Sequence, residues 1–297
     1  MSKAFMFSGQ GAQFASMGKD FYELDIVKDI YKRASIKLGY SLEEISFNED
    51  DRLNQTIYTQ PAIFTMCVAI FEVLKDKGIK PDYVLGLSLG EYAALYSALA
   101  FDLETGLEII QARASIMQEV CDKTNGGMIA VLGMDREIVE RVIKEFNYEI
   151  ANYNCPGQIV VGGDKSLLKE VSEKLIENGA KRAIPLNVSG AFHTSYMDEA
   201  SDKFNNFLQS ASINEPNKNI IMNVTGKPYD KDITKYMTNQ VNSSVRFEDS
   251  IKYLIEQGVD EFIEIGPGKV LSGFVKKVDR KLSIKNIQFV SDLEGVS

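Results

Sequence analysis

The sequence predicts an α/β protein in which a small domain interrupts a larger α/β domain. Short apolar runs followed by tight turns and helices indicate the large domain, a β-α-β-β-α-β order indicates the small one, and the first pattern resumes after it. A chain of 297 residues is long enough to form one large core or two cores. We assign residues 1–126 and 188–297 to the large domain and residues 127–187 to the small domain.

The first half of the large domain begins with an apolar run at residues 1–7, which predicts a buried strand. A glycine-rich loop at residues 8–11 follows this strand and permits close backbone approach. The other elements predicted in this half are a strand at 83–85 and helices at 61–77, 91–100 and 103–120.

The small domain is predicted from the order of its elements. Six segments follow one another as β-α-β-β-α-β, which is the ferredoxin-like unit. They lie at residues 128–132, 136–146, 148–153, 159–161, 167–177 and 182–186. The large domain then resumes with strands predicted at 220–224 and 261–265 and a helix at 247–257.

The net charge argues against a nucleic-acid partner. The chain has 33 basic and 42 acidic residues, a net charge of −9, whereas a phosphate backbone attracts a basic surface. It also has one histidine and three cysteines, Cys67, Cys121 and Cys155, whose spacing matches neither a zinc site nor a disulfide framework. We therefore expect no metal ion and a reducing compartment.

The apolar runs are short. The longest, residues 62–71, falls below the roughly 18 residues needed to span a bilayer. The amino terminus lacks a basic segment followed by a long apolar stretch. We expect a monomeric, cytoplasmic protein that does not contact a membrane.

Gly86-x-Ser88-x-Gly90 matches the nucleophile elbow, a strained strand-to-helix turn that exposes a serine hydroxyl. The pattern alone is weak, and an ordinary serine in a glycine turn would also produce it. The strand predicted before it and the helix predicted after it favour the elbow. Ser88 is therefore the candidate nucleophile.

A serine hydroxyl needs a base to remove its proton, and the usual base is an imidazole with a pKa near neutrality. His193 is the single histidine of the chain and therefore the candidate. A lone histidine is more often incidental, so this interpretation depends on its pairing with Ser88. Since no acidic residue stands out as its partner, a backbone carbonyl could orient the imidazole.

Other residues suggest how a substrate could be held. The backbone N–H groups of Gln10 and Leu89 could stabilise an oxyanion, although the loop at 8–11 could equally be only a tight turn. Arg113 is either a solvated arginine or a planar fork that holds a substrate carboxylate.

Residues 268–285 contain six basic residues and one acidic residue, a net charge of +5. They form either a docking face for an acidic protein or a solvated helix face.

Five motifs occur in order along nearly the whole chain: Gly9-Gln10-Gly11, Gly86-Leu87-Ser88-Leu89-Gly90-Glu91, Gln111-Ala112-Arg113, Ala191-Phe192-His193 and Gly266-Pro267-Gly268. Together they resemble the malonyl-CoA:acyl-carrier-protein transacylase family. The resemblance implies an α/β-hydrolase-like large domain with an inserted ferredoxin-like small domain. It also implies an acyltransferase without a cofactor, because malonyl-CoA is a substrate.

By this resemblance, Ser88 takes the malonyl group from coenzyme A as an ester. It then passes the group to the phosphopantetheine thiol of acyl carrier protein, which supplies fatty acid synthesis. His193 is implied to act as base and then as acid, and Arg113 to bind the malonyl carboxylate. The amides of Gln10 and Leu89 are implied to form the oxyanion hole.

The resemblance also implies that a backbone carbonyl near Arg246 orients His193. Phe192 looks like the malonyl-selective form, since methylmalonyl-selective relatives tend to have serine there. Three residues depart from the family pattern: Leu87 where histidine is common, Ser8 where proline is frequent and Arg246 where glutamine is frequent. We expect these departures to alter the rate and to leave the chemistry in place.

Three alternatives share features with this prediction. A trans-acting malonyl transferase of a polyketide synthase would have every motif above. A thioesterase or another serine hydrolase would use the same serine and base but release the free acid. A binding module for carrier proteins could retain the elbow without its activity.

Overall fold

The computed structural model describes residues 2–216 and 219–296. These residues contain ten strands and eleven α-helices. The strands are β1 (Ser2–Phe7), β2 (Tyr83–Gly86), β3 (Gly126–Leu132), β4 (Glu149–Cys155), β5 (Gln158–Asp164), β6 (Arg182–Pro185), β7 (Asn219–Met222), β8 (Lys227–Pro228), β9 (Val259–Ile265) and β10 (Ser283–Ile287). The helices are α1 (Asp25–Leu38), α2 (Leu42–Phe47), α3 (Thr56–Asp76), α4 (Gly90–Ser97), α5 (Leu103–Lys123), α6 (Arg136–Lys144), α7 (Leu168–Glu177), α8 (Asp198–Leu208), α9 (Ile233–Gln240), α10 (Phe247–Glu256) and α11 (Val270–Val278). Met1, where the first strand was predicted to begin, and Ser297, where the large domain was predicted to end, lie outside the described residues.

The large domain is built on a six-stranded sheet with the order β10-β9-β1-β2-β7-β8. The first five strands are parallel, and β8 pairs antiparallel to β7. Parallel sheets are buried on both faces. In the central strand β1, Phe5 and Phe7 belong to one core and Ala4 and Met6 to a second core, as the alternation of side chains along a strand requires.

Helices cover both faces of this sheet. The core on one face is formed with α3, α4 and α5, and the core on the other face with α10 and α11. α3 is 21 residues long and by length and composition could cross a membrane, which the 62–71 run did not indicate. Since 83% of its apolar window is buried inside the protein, α3 packs here as a core helix.

The small domain contains an antiparallel four-stranded sheet with the order β4-β5-β3-β6. Its elements follow one another as β-α-β-β-α-β, so the predicted ferredoxin-like insert is confirmed. One sheet face packs against α6 and α7, through residues such as Val139 and Val171. The other face packs against Phe192 of the large domain. The domain boundaries at 126/127 and 187/188 stay a prediction, and β3 already begins at Gly126.

The predicted elements agree with the observed ones to within a few residues, apart from the start of α3. This helix begins at Thr56 and has Pro61 as its sixth residue, whereas the sequence predicts its start at the proline. The basic segment at 268–285 forms α11 and the beginning of β10. Lys276 and Lys277 are exposed in the last turn of α11, whereas Lys285 pairs with Glu261 at 2.7 Å.

The close approach of α4 to β1 gives a test of this packing. A Cβ atom on Gly90 would lie 2.0 Å from the backbone oxygen of Phe7, so a side chain there forces two backbone segments apart. We expect Gly90→Ala to lower the free energy of unfolding by about 3 kcal/mol or more. Urea unfolding measures this, and a Gly90→Ala protein as stable as wild type would contradict the packing.

Gly273→Ala is the matched control. A Cβ atom at Gly273, inside α11, meets nothing within 4 Å. Because alanine favours the helix more than glycine does, this variant should gain up to about 1 kcal/mol of stability.

Candidate active site

Ser88 lies in the turn between β2 and α4, in the conformation of a nucleophile elbow. Its φ of +53° is in the left-handed region, which L-residues other than glycine rarely adopt. Gly86 permits the turn, because a Cβ atom there would lie 2.0 Å from the carbonyl carbon of Gly90. The Ser88 N–H donates to Asn223 Oδ1 at 2.8 Å, which fixes the turn from the residue that follows β7, the strand next to β2.

His193 follows the small domain along the chain and returns to the elbow. Its Nε2 lies 2.7 Å from Ser88 Oγ, and its Nδ1 lies 2.8 Å from the backbone oxygen of Gln240. A carbonyl oxygen only accepts hydrogen bonds, so Nδ1 carries the proton and Nε2 is the free acceptor for the Ser88 hydroxyl. The single histidine is therefore placed to act as a base toward Ser88.

The carbonyl that orients His193 was predicted near Arg246, and this was wrong. The Arg246 carbonyl oxygen accepts hydrogen bonds from the N–H and the hydroxyl of Ser250, both at 3.0 Å, because it begins α10. The carbonyl of Gln240, at the end of α9, has this position instead. The glutamine that seemed to be replaced by Arg246 is thus present in the site as Gln240.

The environment of His193 keeps its imidazole neutral. Burial and the nearby charge of Arg113 lower the pKa of His193 from 6.5 to about 4, against the opposing effect of hydrogen bonds to the Gln240 and Ser243 backbone. At neutral pH the imidazole is therefore able to accept a proton.

Arg113 is buried beside the nucleophile, with 1% of its surface exposed. Nη2 lies 3.3 Å from Ser88 Oγ and 3.2 Å from Gln240 Oε1, and Nη1 donates to Gln60 Oε1 at 2.8 Å. Its guanidinium carbon lies 5.2 Å from the centre of the Tyr92 ring. Within the described residues it forms no salt bridge, and its Nε has no hydrogen-bond partner. The interpretation of Arg113 as a solvated arginine is therefore wrong.

The loop at residues 8–11 lies against the elbow. A Cβ atom on Gly9 would come 2.4 Å from the Leu87 carbonyl oxygen, so only glycine permits this contact. The loop brings Gln10 next to the turn that contains Leu89. For neither backbone N–H does the described chain supply a hydrogen-bond acceptor, which leaves both available to a ligand.

Two open clefts border the candidate site, one at Gln10 and one at His193. One, of about 450 Å³, is lined by residues that include Gln10, Gln118, Ser189 and Phe192. The other, of about 590 Å³, lies between the small domain and residues 242–246 and reaches His193. Among residues 2–216 and 219–296, no group of histidine, cysteine and acidic side chains is arranged to hold a metal ion.

Four buried polar side chains around this site are not predicted from the sequence: Gln60, Glu91, Asn223 and Gln240. Gln60 and Gln240 accept from Arg113, and Asn223 holds the elbow. Side-chain amides have no spacing signal in a sequence, so only the fold reveals them. Glu91 directly follows the elbow, but nothing in that position indicates that its carboxylate is buried.

Comparison with known proteins gives a consistent result. Residues 4–294 match the model of the acyl transferase domain. A malonyl CoA-acyl carrier protein transacylase of Bacillus subtilis is 43% identical over 306 residues, covering 100% of this chain and 96% of that protein. The crystal structure of a malonyl CoA-acyl carrier protein transacylase from Clostridium perfringens superposes with a TM-score of 0.95 at 42% identity, covering 99% and 96% of the two chains.

A third match is a solved complex of a type II PKS acyl-carrier protein with its malonyl-transacylase. It has a TM-score of 0.96 at 32% identity and covers 99% of this chain and 98% of that one. The similarity therefore extends over both domains.

The pKa of His193 predicts how the reactivity of Ser88 depends on pH. Labelling of Ser88 by a fluorophosphonate needs the neutral form of the His193 imidazole. All of the protein has this form well above the pKa of about 4, and the neutral fraction falls as the pH drops through that value. We expect a constant labelling rate from about pH 5.5 to 7.5 and a fall below about pH 4.5. Mass spectrometry follows the label, circular dichroism at each pH verifies that the protein is folded, and Ser88→Ala should not be labelled. An inflection near the ordinary histidine value of 6.5 would contradict this account.

Proposed function

The chain belongs to the acyl transferase domain family, and we propose that it is an acyl-carrier-protein S-malonyltransferase. It transfers the malonyl group of malonyl-CoA to the phosphopantetheine thiol of acyl carrier protein. Malonyl-CoA is a substrate, and we propose that the enzyme works as a cytoplasmic monomer without a cofactor. The three cysteines, which are all free and buried, are consistent with a reducing compartment.

One observation carries the proposal: the guanidinium of Arg113 is buried 3.3 Å from Ser88 Oγ without a carboxylate partner in the described part of the chain. Burying an unpaired charge costs free energy, so this site favours an acyl group that brings an anion of its own. A malonyl group attached to Ser88 does so, because its second carboxylate is free. Arginine holds a carboxylate through two parallel hydrogen bonds.

In the first half of the reaction, the Ser88 hydroxyl gives its proton to His193 Nε2, and Oγ attacks the thioester carbonyl of malonyl-CoA. The N–H groups of Gln10 and Leu89 donate hydrogen bonds to the carbonyl oxygen and stabilise the negative charge that develops on it. His193 returns the proton to the sulfur of coenzyme A, which leaves. The Gln240 carbonyl stabilises the positive imidazolium while it exists.

In the second half, the phosphopantetheine thiol of the carrier protein gives its proton to His193 and attacks the malonyl ester. The tetrahedral intermediate collapses, and Ser88 leaves with the proton from His193. The same base and oxyanion donors therefore serve both halves.

The identity of the carrier protein that accepts the malonyl group determines which biosynthetic pathway the enzyme serves. Fatty acid synthesis is the proposed one, supported by the similarity to the Bacillus subtilis transacylase. The similarity to the malonyl-transacylase solved with a type II PKS carrier protein supports the alternative, transfer to a polyketide synthase carrier. Assays with both kinds of carrier protein distinguish the two. Residues 268–285, with Lys276 and Lys277 exposed, remain the proposed docking face for an acidic carrier.

Replacing Arg113 tests the proposed substrate. Loss of a hydrogen-bonded charge costs about 1.5 to 3 kcal/mol, so we expect Arg113→Ala to lower kcat/KM for malonyl transfer by roughly ten- to a hundredfold or more. Acetyl transfer, which needs no carboxylate partner, should fall far less. Steady-state rates with malonyl-CoA and acetyl-CoA measure both.

Arg33→Ala, which removes an exposed arginine paired with Glu104, should leave both rates unchanged. Equal losses of malonyl and acetyl transfer in Arg113→Ala would show that Arg113 does not bind the malonyl carboxylate. Accumulation of free malonate in place of the carrier-protein thioester would identify a hydrolase instead.

A further inference from the structure

The mechanism leaves one buried ionisable group unused. Glu91, three residues after the nucleophile, is 0% exposed, and the described residues provide no salt bridge to it. A buried carboxylate costs several kcal/mol in its charged form unless hydrogen bonds and nearby charges compensate it. Burial raises the pKa of Glu91, whereas the hydrogen bonds from Asn223 and Gln240 and the charge of Arg113 oppose that rise.

Two donors converge on the Glu91 carboxylate, one on each oxygen. The backbone N–H of Asn223 donates to Oε2, and Gln240 Nε2 donates to Oε1 at 3.2 Å. A carboxylate accepts at both oxygens, whereas a glutamine in its place would have one acceptor and one donor. The position therefore requires a carboxylate and not an amide.

Through Gln240, this carboxylate is connected to the substrate-binding group. Gln240 Nε2 also donates to the Ser88 carbonyl oxygen at 2.8 Å, and Gln240 Oε1 accepts from Arg113 Nη2 at 3.2 Å. Arginine is only a donor and a carbonyl only an acceptor, so one orientation of the Gln240 amide satisfies every partner. Glu91 and the Ser88 carbonyl together hold Nε2 on the side away from Arg113, and Glu91 is the one of the two that a substitution can change.

Arg113 has few other contacts that would fix its direction. Its Nη1 is held by Gln60, and its Nη2 by Gln240 and the Ser88 hydroxyl, which itself reacts. Loss of the Gln240 contact would leave the end of the guanidinium beside Ser88 without a lasting partner.

We propose that Glu91 is a positioning residue for malonyl selectivity, which orients the Gln240 amide and through it directs Arg113 toward the acyl group on Ser88. This inference rests on the proposed malonyl transfer. In Glu91→Gln, the new amide oxygen accepts from the fixed Asn223 N–H and its NH2 group faces Gln240 Nε2. The two donors repel each other, Gln240 moves, and Arg113 loses its partner.

The readout is the ratio of kcat/KM for malonyl transfer to kcat/KM for acetyl transfer. We expect Glu91→Gln to lower this ratio about fivefold or more, because one charged hydrogen bond to the substrate weakens. The contact of Ser88 Oγ with His193 and the backbone carbonyl that orients His193 do not depend on the Gln240 side chain. A carboxylate with only a structural role would, on replacement, lower both rates equally and leave the ratio unchanged.

Glu264→Gln is the matched control. Glu264 is also 0% exposed, and its carboxylate accepts the N–H groups of Leu271 and Ser272 at 3.0 and 2.8 Å, at the start of α11. Replacing it makes the same change from carboxyl to amide in a comparable buried setting outside the site. The ratio should be unchanged in this variant even if the stability falls.

A double variant tests whether Glu91 acts through Arg113. In the Arg113→Ala background, Glu91→Gln should lower the ratio no further, because coupled residues are not additive. A further drop there, of the same size as in wild type, would overturn the inference. Should Glu91→Gln not fold, Glu91→Asp decides: its carboxylate is one methylene shorter, cannot reach Gln240 and should show the same loss of ratio.

The outcomes separate the two proposals. A wild-type enzyme that transfers no malonyl group refutes the proposed function. A wild-type enzyme that does so, together with a Glu91 variant whose ratio is unchanged, refutes only the positioning role.

Discussion

The site depends on one buried positive charge. Arg113 lies 3.3 Å from the Ser88 hydroxyl, is 1% exposed and is held by the amide oxygens of Gln60 and Gln240. These amide oxygens accept from Nη1 and Nη2 without neutralising the charge, and within the described residues Arg113 forms no salt bridge. We therefore propose that an anion that arrives with the substrate is its ion-pair partner. Burial, and after it the same charge, lower the pKa of His193, which keeps the base neutral before the reaction. Arg113 therefore contributes both to the proposed selectivity and to the protonation state of the base.

The parallel sheet brings these groups together from distant parts of the chain. β1 and β2 are neighbours, so the loop with Gln10 and the elbow with Ser88 meet at the carboxyl edge of the sheet, where α/β proteins place their ligands. The small domain packs against Phe192, next to His193. α9 ends at Gln240, whose carbonyl orients the imidazole and whose amide reaches Arg113. The order of the strands thus brings together side chains and backbone groups that lie more than 200 residues apart in the sequence.

The sequence was sufficient for the fold class, the ferredoxin-like insert and the pairing of Ser88 with His193, because strand-turn-helix patterns and a single histidine are local signals. It failed for the carbonyl partner of that histidine. The resemblance places the family's glutamine at position 246, whereas Gln240 makes the contact six residues earlier. The contacts of Glu91, Asn223 and Gln60 follow from long-range packing, which no spacing in the sequence indicates. Burial of Arg113 was likewise invisible, since an arginine beside an apolar stripe is usually solvated.

A crystal structure of the wild-type enzyme with malonate esterified to Ser88 tests the central claim most directly. We expect the free carboxylate of the malonyl group to accept hydrogen bonds from both Nη atoms of Arg113. The carbonyl oxygen of the ester should face the N–H groups of Gln10 and Leu89. A malonyl carboxylate that points into solvent, with Arg113 still bound only to Gln60 and Gln240, would contradict it.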